Sequence, residues 1–321
     1  MNIIIPGGAG FVGRNLVRVL ASENYDMEKI TVLDKNEKNL DCVKKYGLKA
    51  LHTDLAEKQD WYDEFNGKEV VINLAAQISS PNPELFYRNN VLATRNVLEA
   101  AKNAGMKRII HFSSAAVLSV RKDYYAQTKF EGEELVKRSG LEYCILRPSI
   151  IYGPTDDKNI GFLIDFAKKI PFFPIPGHGK WPRQPIYVDD ICYLLISIMK
   201  NFPKNEIYSI NGRDVIYFRD MVKTVLNQLG GFRFRVFLPI CLFKFLMMSY
   251  QRLTGKIQFT PDQVDSLTAK EVFPNYAWWD EFGIDVTPFE EGVKRMVEWN
   301  ERKNINHHSC KKRGRKDRAM P

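Results

Sequence analysis

Three side chains in the middle of the chain have the types and the spacing for acid–base chemistry on an alcohol. Tyr125 and Lys129 are four positions apart, so a helix through them would bring both side chains to one face. An ammonium stabilises a nearby phenolate, which a tyrosine needs because its pKa of about 10 is too high for a base near neutral pH. Ser114, eleven residues before Tyr125, would hydrogen-bond the oxygen of the reacting carbon. We interpret the three residues as a catalytic group, against the alternative of a solvated helix on which the pair has no role.

A glycine-rich turn stands near the start of the chain, between an apolar strand and an amphipathic helix. The residues from Ile3 to Ile5 suit a strand that is buried on both faces of a parallel sheet. A turn without Cβ atoms lets backbone N–H groups and a helix dipole approach a pyrophosphate. We therefore predict a bound dinucleotide rather than a turn without a ligand, and assign to it Gly7, Gly10, Phe11, Val12 and Gly13.

The second predicted strand indicates which dinucleotide is bound. It runs from Lys29 to Leu33 and ends at Asp34. A carboxylate about 20 residues beyond the glycines is where the ribose hydroxyls of such a cofactor are held. Asp34 would repel a 2′-phosphate, so NAD is predicted over NADP, although the neighbouring Lys35 weakens this preference. The alternative is that Asp34 only caps a loop.

The elements that would position these residues alternate along the chain. Further strands are predicted at 70–74, 108–112 and 143–146, and helices at 91–104 and 124–139. This alternation predicts an α/β fold with a doubly wound parallel sheet, and Ser114 would lie at its carboxyl edge. We predict an NAD-binding domain over residues 1–150, to which later segments return. A smaller substrate-binding lobe is predicted over 151–300, and a disordered basic tail over 301–321.

Composition excludes several classes of protein. Five scattered cysteines without CxxC spacing argue against a disulfide framework and a structural zinc site, so no metal is predicted. No apolar run reaches 18 residues and the first residues lack a positively charged signal region, so a cytoplasmic protein is expected. The net charge is +9, and residues 301–321 hold eight basic and two acidic residues. Because the charge is concentrated in this tail, no specific nucleic-acid binding is expected.

One apolar run receives no role from these assignments. Residues 236–248 are strongly apolar, are interrupted by Pro239 and Lys244, and are too few to cross a bilayer. We predict a core helix of the second lobe. The alternative is a patch that faces a membrane and that would serve a lipid-linked substrate together with the basic tail.

Together, these motifs resemble the extended short-chain dehydrogenase/reductases of the NAD-dependent epimerase/dehydratase family. The resemblance rests on the loop from Gly7 to Gly13, which is similar to the family's GxxGxxG, and on the Tyr125/Lys129 pair. It extends over about residues 1–300 and implies a Rossmann fold with NAD as cofactor. It also implies that Arg183 contacts a substrate diphosphate, for which a guanidinium is suited. The further contacts with NAD that the resemblance implies are made by Asp54, Leu55, Leu74, Ala75, Ala76, Tyr125 and Lys129.

The resemblance implies a reaction as well. Tyr125 would take the proton of a sugar hydroxyl while a hydride passes to NAD, which leaves a keto intermediate. An epimerase would return the hydride to the other face, whereas a dehydrogenase or reductase would release its product. Ala115 and Ala116 stand where dehydratases of the family carry an acidic pair, so dehydration is not expected. The predicted function is an NAD-dependent epimerase or oxidoreductase that acts on a sugar nucleotide or a lipid-linked sugar.

Two other functions stay open at this point. A 3β-hydroxysteroid-type or other lipid-alcohol dehydrogenase would use the same catalytic residues. A non-catalytic NAD-binding scaffold would keep the glycines and Asp34 but would not need Tyr125 and Lys129. A homodimer and a peripheral contact with a membrane surface are also left open by the sequence.

Overall fold

The chain forms two compact units. A computed structural model describes residues 1–58, 60–120, 123–254, 272–274 and 276–316. The first unit comprises Met1–Ile151, Val188–Arg213 and Phe273–Val286, and the second comprises Tyr152–Tyr187, Asp214–Val272 and Thr287–Pro321. Two segments from the range 151–300 therefore belong to the first unit.

The elements follow one another in an alternating order. The strands are β1 (Ile3–Pro6), β2 (Ile30–Asp34), β3 (Lys49–His52), β4 (Val70–Asn73), β5 (Arg108–Phe112), β6 (Glu142–Pro148), β7 (Ile151–Tyr152), β8 (Phe172–Pro176), β9 (Pro182–Arg183), β10 (Ile186–Tyr187), β11 (Glu206–Ile210), β12 (Ile216–Tyr217) and β13 (Phe234–Leu238). The helices are α1 (Phe11–Ser22), α2 (Glu37–Lys44), α3 (Pro83–Phe86), α4 (Ala93–Asn103), α5 (Tyr124–Lys137), α6 (Ile160–Lys169), α7 (Val188–Lys200), α8 (Phe218–Leu229), α9 (Ile240–Thr254), α10 (Trp278–Phe282) and α11 (Phe289–Lys316). A π-helical turn, Tyr87–Leu92, leads into α4, and 3₁₀ turns form at Met27–Lys29, Asp60–Phe65 and Ala115–Leu118.

A seven-stranded sheet in the order β11-β6-β5-β4-β1-β2-β3 organises the first unit. Its strands pair in parallel, and the β-branched residues of β1 are fully buried between the two neighbouring strands. The chain first winds outward to β3 and then returns to β4 on the other side of β1. This change of direction opens a crevice at the carboxyl ends of β1 and β4, which is where such sheets bind ligands. The predicted doubly wound parallel sheet is confirmed.

The second unit has its own apolar core. Helix α11 packs against α6 and α8, and the buried side chains between them include Ile164, Val222 and Val293. Two short pairs of strands lie wholly within this unit, β8 with β13 in parallel and β9 with β12 antiparallel.

The apolar run 236–248 is not the core helix that the sequence analysis predicts. It forms the end of β13 and the first half of α9, and several of its large side chains are exposed, with Phe245 at 65% and Phe237 at 50%. Pro239 separates the two elements, and Ile240 at the start of α9 packs against the core of the second unit. Hydropathy predicted burial here, but a helix that contacts the core through one edge leaves its other apolar face outside.

Helix α11 continues through residue 316, into the segment 301–321 for which the sequence analysis predicts a disordered basic tail. The segment from 289 to 316 contains no proline, and side-chain pairs such as Arg295–Glu291 and Arg302–Glu298 have the spacing that supports a helix. Within the described ranges, no helix combines the length and the apolar character that crossing a bilayer requires.

Candidate active site

The glycine-rich turn connects β1 to α1 and has the shape of a cradle for an anion. Gly7 adopts a positive φ of 74°, and a Cβ added to it would lie 2.5 Å from the backbone nitrogen of Ala75. A Cβ on Gly13 would lie 2.3 Å from the carbonyl oxygen of Gly8, so only glycine lets α1 pack this close to the loop. Helix α1 begins after Gly10, which provides no side-chain cap for its N–H groups. These N–H groups and the helix dipole suit a pyrophosphate, so the residues present fit a dinucleotide.

Asp34 lies at the end of β2, directly beside this loop. Its Oδ2 accepts a hydrogen bond of 3.0 Å from the Ala9 amide, and its Oδ1 accepts one of 2.9 Å from the Asn36 amide. Burial raises the pKa of Asp34, while these backbone hydrogen bonds and the charge of Lys35 oppose the rise. The Lys35 amine donates to Oδ1 of Asn89 at 2.9 Å. The carboxylate therefore lies beside the glycine-rich turn, and the amine of the neighbouring lysine is hydrogen-bonded to Asn89.

Asp54 and Leu55 follow β3 and are held by groups that are distant in sequence. Oδ2 of Asp54 pairs with the Arg88 guanidinium at 2.6 Å, and Arg88 also contacts Glu57 at 2.7 Å. Burial would raise the pKa of Asp54, but the ion pair with Arg88 and a hydrogen bond from the Ala56 amide lower it. Leu55 packs in the core of the first unit. The sequence analysis missed Arg88, because nothing near it in the sequence indicates a partner 34 residues earlier.

After β4 the chain passes the glycine loop as an extended strip, 74–76. The Leu74 amide donates to the Pro6 carbonyl at 2.8 Å, which holds the strip beside β1. The next residue, Gln77, donates its amide to Oδ1 of Asn90 at 2.7 Å, and Nδ2 of Asn90 donates to the Thr128 hydroxyl at 3.0 Å. A buried asparagine therefore connects the strip to α5.

Ser114 and Tyr125 meet at the carboxyl end of β5. The Ser114 hydroxyl accepts a hydrogen bond of 3.2 Å from the Ala116 amide and also hydrogen-bonds Tyr125. Tyr125 lies in the first turn of α5, whose N-cap is Asp123. Burial raises the pKa of the phenol above its ordinary value, and the charge of Asp123 adds to this rise. The hydrogen bond with Ser114 lowers the pKa but does not cancel the rise. Tyr125 is therefore a protonated phenol at neutral pH.

Lys129 lies one turn further along α5 and is almost fully buried. Its amine donates to the carbonyl oxygen of Phe112, the last residue of β5. Burial lowers its pKa to about 8, and the charge of Glu133 partly opposes this. Glu133 is itself fully buried and accepts two hydrogen bonds from Arg147, of 2.9 and 2.6 Å. The sequence analysis expects the ammonium to stabilise the Tyr125 phenolate, whereas in the structure the amine contacts a backbone carbonyl and burial dominates both pKa shifts.

His111 is a buried ionisable group that the sequence analysis did not single out. Its Nδ1 lies 3.3 Å from Nδ2 of Asn73, and its Nε2 has no hydrogen-bond partner among the described residues. Burial lowers its pKa well below the ordinary value, and the charge of Lys129 lowers it further. A neutral imidazole therefore lies near the lysine. In the sequence, the buried imidazole is indicated by a single histidine inside a mostly apolar strand.

Arg183 lies in the second unit, in β9, where it pairs with Ile216 of β12. Its guanidinium donates to the Pro182 carbonyl at 2.5 Å. Its contact with a substrate diphosphate stays a prediction.

The first unit brings the other predicted residues to one edge of its sheet, at or near the carboxyl ends of β1 to β5. A nucleotide cradle and a hydroxyl–phenol–amine group on this edge can bind a dinucleotide and move a proton to or from a substrate oxygen. The residues at this edge are Gly7, Gly10, Phe11, Val12, Gly13, Asp34, Asp54, Leu55, Leu74, Ala75, Ala76, Ser114, Tyr125 and Lys129.

Comparison with known proteins finds a matching family model and relatives with partial sequence identity. The model of the NAD dependent epimerase/dehydratase family matches residues 3–211 of the chain. The 3beta-hydroxysteroid-dehydrogenase/decarboxylase isoform 2 of Arabidopsis thaliana is 28% identical, over 92% of this chain and 61% of that protein. The human sterol-4-alpha-carboxylate 3-dehydrogenase, decarboxylating, is 30% identical, over 59% of this chain and 55% of that protein. The chain therefore spans less than two thirds of the length of either relative.

Solved structures share the fold. The UDP-glucose 4-epimerase of Thermotoga maritima, crystallised with UDP-glucose, superposes with a TM-score of 0.76 at 20% identity. The match covers 94% of this chain and 99% of that one.

Proposed function

Since the chain belongs to the NAD-dependent epimerase/dehydratase family, we propose that it oxidises a secondary alcohol of its substrate to a ketone, or reduces such a ketone, with NAD as cofactor. One observation carries this proposal. Ser114, Tyr125 and Lys129 gather at the end of β5, on the same sheet edge as the glycine cradle. A non-catalytic scaffold would need the cradle but not these three side chains.

The cradle and Asp34 would hold the cofactor. Gly7, Gly10 and Gly13 leave room for a pyrophosphate at the start of α1, and the Asp34 carboxylate would accept hydrogen bonds from ribose hydroxyls. The same carboxylate disfavours a 2′-phosphate, which supports NAD over NADP. NAD, when bound, supplies the acceptor and donor of the hydride that the carbinol carbon gives up or receives.

Tyr125 would move the proton. Its raised pKa keeps the phenol protonated at neutral pH, so it can donate a proton to the oxygen of a substrate carbonyl during reduction. By microscopic reversibility, the phenolate takes the proton back when an alcohol is oxidised. Ser114 already hydrogen-bonds Tyr125, so its hydroxyl can hold the same substrate oxygen. Lys129, with a pKa of about 8, is mostly charged at neutral pH and keeps a positive potential at this site.

Two substrate classes follow from different observations. Membership of the epimerase/dehydratase family supports a sugar carried on a nucleotide or on a lipid, which would be epimerised or oxidised. The sterol dehydrogenase relative that covers 92% of the chain supports a 3β-hydroxysteroid-type alcohol. Both use the same proton and hydride steps. A homodimer and a cytoplasmic location stay predictions.

Turnover measured on three substrate panels tests the proposal. Purified protein with NAD is mixed with sugar nucleotides, lipid-linked sugars or 3β-hydroxysterols, while absorbance at 340 nm and the products are followed. An epimerase converts the sugar without net NADH, whereas a dehydrogenase produces NADH in proportion to its product. Tight NAD binding without turnover of any panel would contradict the catalytic proposal and favour the scaffold.

A further inference from the structure

An exposed apolar surface lies on the second unit, in β13 and α9. Its members are large apolar side chains that the core does not cover. We call this set the apolar face, and it comprises Phe234, Phe237, Leu242, Phe245, Leu246 and Met248.

The helical part of the apolar face is a continuous stripe. Leu242, Phe245 and Leu246 follow the spacing of one side of a helix, and Ile240 packs against the core of the second unit. Arg252 is exposed and stands seven positions after Phe245, which places a cation on the same side. Helix α9 therefore presents an outward apolar side that ends in a basic residue.

Aromatic rings extend the surface along β13. Phe234 lies 6.4 Å from the ring of Phe172 on the paired strand β8, and Phe232 lies 5.9 Å from Phe234. All three rings are exposed. Exposed phenylalanines on β8 and around β13, followed along the chain by the exposed apolar side of α9, concentrate large apolar side chains in this part of the second unit, and exposed apolar patches mark interaction sites.

The charge of these segments indicates what covers the surface. Residues 221–261, which include β13 and α9, contain six Lys or Arg residues and no Asp or Glu. Residues 166–188, which include β8, contain Lys168, Lys169, Lys180 and Arg183 and again no Asp or Glu. Exposed apolar side chains on segments whose only charged residues are cations match a membrane surface, where acyl chains lie beneath anionic headgroups.

We propose that the apolar face docks the protein onto an anionic lipid surface, with α9 lying in the plane of the interface. This inference is independent of the reaction at the first unit. A second copy of this chain would cover the same face in the absence of lipid, and the experiment separates this case from lipid binding.

Fluorescent labels on the native cysteines can show which part of the chain contacts lipid. Cys241 is exposed on α9, one turn before Phe245, and Cys42 is exposed on α2 of the first unit. Burial raises the pKa of the Cys144 thiol to about 12 and that of the Cys192 thiol well above its ordinary value, so neither reacts readily with a maleimide. One chain keeps Cys241 with Cys42→Ser and Cys310→Ser, and its matched control keeps Cys42 with Cys241→Ser and Cys310→Ser. Each is labelled with a polarity-sensitive fluorophore.

Vesicles of phosphatidylglycerol and phosphatidylcholine should shift the emission of the Cys241 label to shorter wavelengths and leave the Cys42 label unchanged. The affinity of the protein for pure phosphatidylcholine vesicles should be at least about tenfold lower. Added salt should release the protein from the anionic vesicles. Sedimentation with vesicles without a shift at Cys241 would mean that the basic tail alone binds, which overturns the proposal. A shift that grows with protein concentration in the absence of lipid would assign the face to a second copy and would also overturn it.

A double variant tests the apolar contribution. Phe245→Ser with Leu246→Ser removes two exposed side chains and should weaken binding to anionic vesicles by about tenfold or more, because the apolar area that enters the bilayer is lost. The control, Tyr193→Ser with Val215→Ser, removes exposed apolar side chains outside the apolar face and should bind as the wild type does. Both variants should keep their NAD affinity, which verifies their folding. Equal vesicle binding by the two variants would overturn the proposal, as would absence of binding by the wild-type chain.

Discussion

Replacing Lys129 by methionine should make the protein more stable while weakening its hold on NAD. Lys129 is 2% exposed, and burial lowers its pKa from 10.5 to about 8. Methionine has a similar unbranched length but no charge to bury. Because Arg147 pairs with Glu133 through two hydrogen bonds, the substitution leaves no buried carboxylate without a partner.

The size of the effect follows from the pKa. A drop from 10.5 to about 8 corresponds to a cost of roughly 3 kcal/mol for the buried charge below pH 8, where the lysine is protonated in both the folded and the unfolded chain. Between pH 8 and 10.5 the unfolded chain binds a proton that the folded chain does not, so the stability of the wild type rises with pH. The lost hydrogen bond to the Phe112 carbonyl offsets about 1–2 kcal/mol of the gain. At pH 7 the variant should therefore be more stable by about 1–2 kcal/mol, with a Tm higher by about 2–6 °C.

Differential scanning calorimetry of the wild type and Lys129→Met at pH 7, 8.5 and 10 measures this difference. The gain should be largest at pH 7 and should shrink as pH rises, because the wild type then loses its buried charge. Lys102→Met, at an exposed position on α4, is the control and should change stability by less than about 0.5 kcal/mol. A variant that is less stable than the wild type at pH 7, or a difference that does not change with pH, would refute the reasoning. NAD affinity, measured by calorimetric titration, should fall even though the fold gains stability.

Three further substitutions test the glycine cradle, the preference for NAD over NADP and the buried ion pair of Arg147 with Glu133. Gly7→Ala places a Cβ 2.5 Å from the backbone nitrogen of Ala75 at a positive φ, so NAD affinity should fall at least about a hundredfold, as seen by isothermal titration. Asp34→Ala removes the carboxylate that disfavours a 2′-phosphate, so the ratio of NAD to NADP affinity should fall by about tenfold or more in the same titration. Arg147→Met leaves the fully buried Glu133 without its guanidinium and should lower the free energy of unfolding in urea by about 3–5 kcal/mol; unchanged stability would show that the pair is not needed.

The sheet and its order of elements could be predicted because the sequence carries them locally. The strand predicted at 108–112 is β5 with the same bounds, since a short run rich in β-branched residues has few other ways to be buried on both faces. The placement of Ser114 followed from the same strand, because parallel strands end together at one edge. Glycine spacing similarly predicted the turn before α1.

Contacts between residues distant in sequence could not be predicted. Arg88 pairs with Asp54, and the Lys129 amine contacts the Phe112 carbonyl, because the fold brings those groups together and no local pattern encodes the distance. The half-burial of Tyr125 and the nearly complete burial of Lys129 likewise depend on packing, so the direction of both pKa shifts required the structure.

Hydropathy alone also misjudged the run 236–248. An apolar helix can lie in a protein core or on an exposed surface that binds a partner or a lipid. A core helix and an exposed apolar helix can have the same composition. The packing of the second unit determines which side of α9 is buried, since Ile240 contacts the core while Phe245 on the other side remains exposed.

The rate of turnover by Tyr125→Phe, on whichever substrate panel the wild type converts, tests the central claim most directly. Phenylalanine keeps the ring and removes the ionisable oxygen that hydrogen-bonds Ser114. Turnover should fall by about a hundredfold or more, while NAD affinity, titrated on the same preparation, should stay within about twofold of the wild type. Full turnover by this variant would contradict the account, because the proton would then be moved by another group.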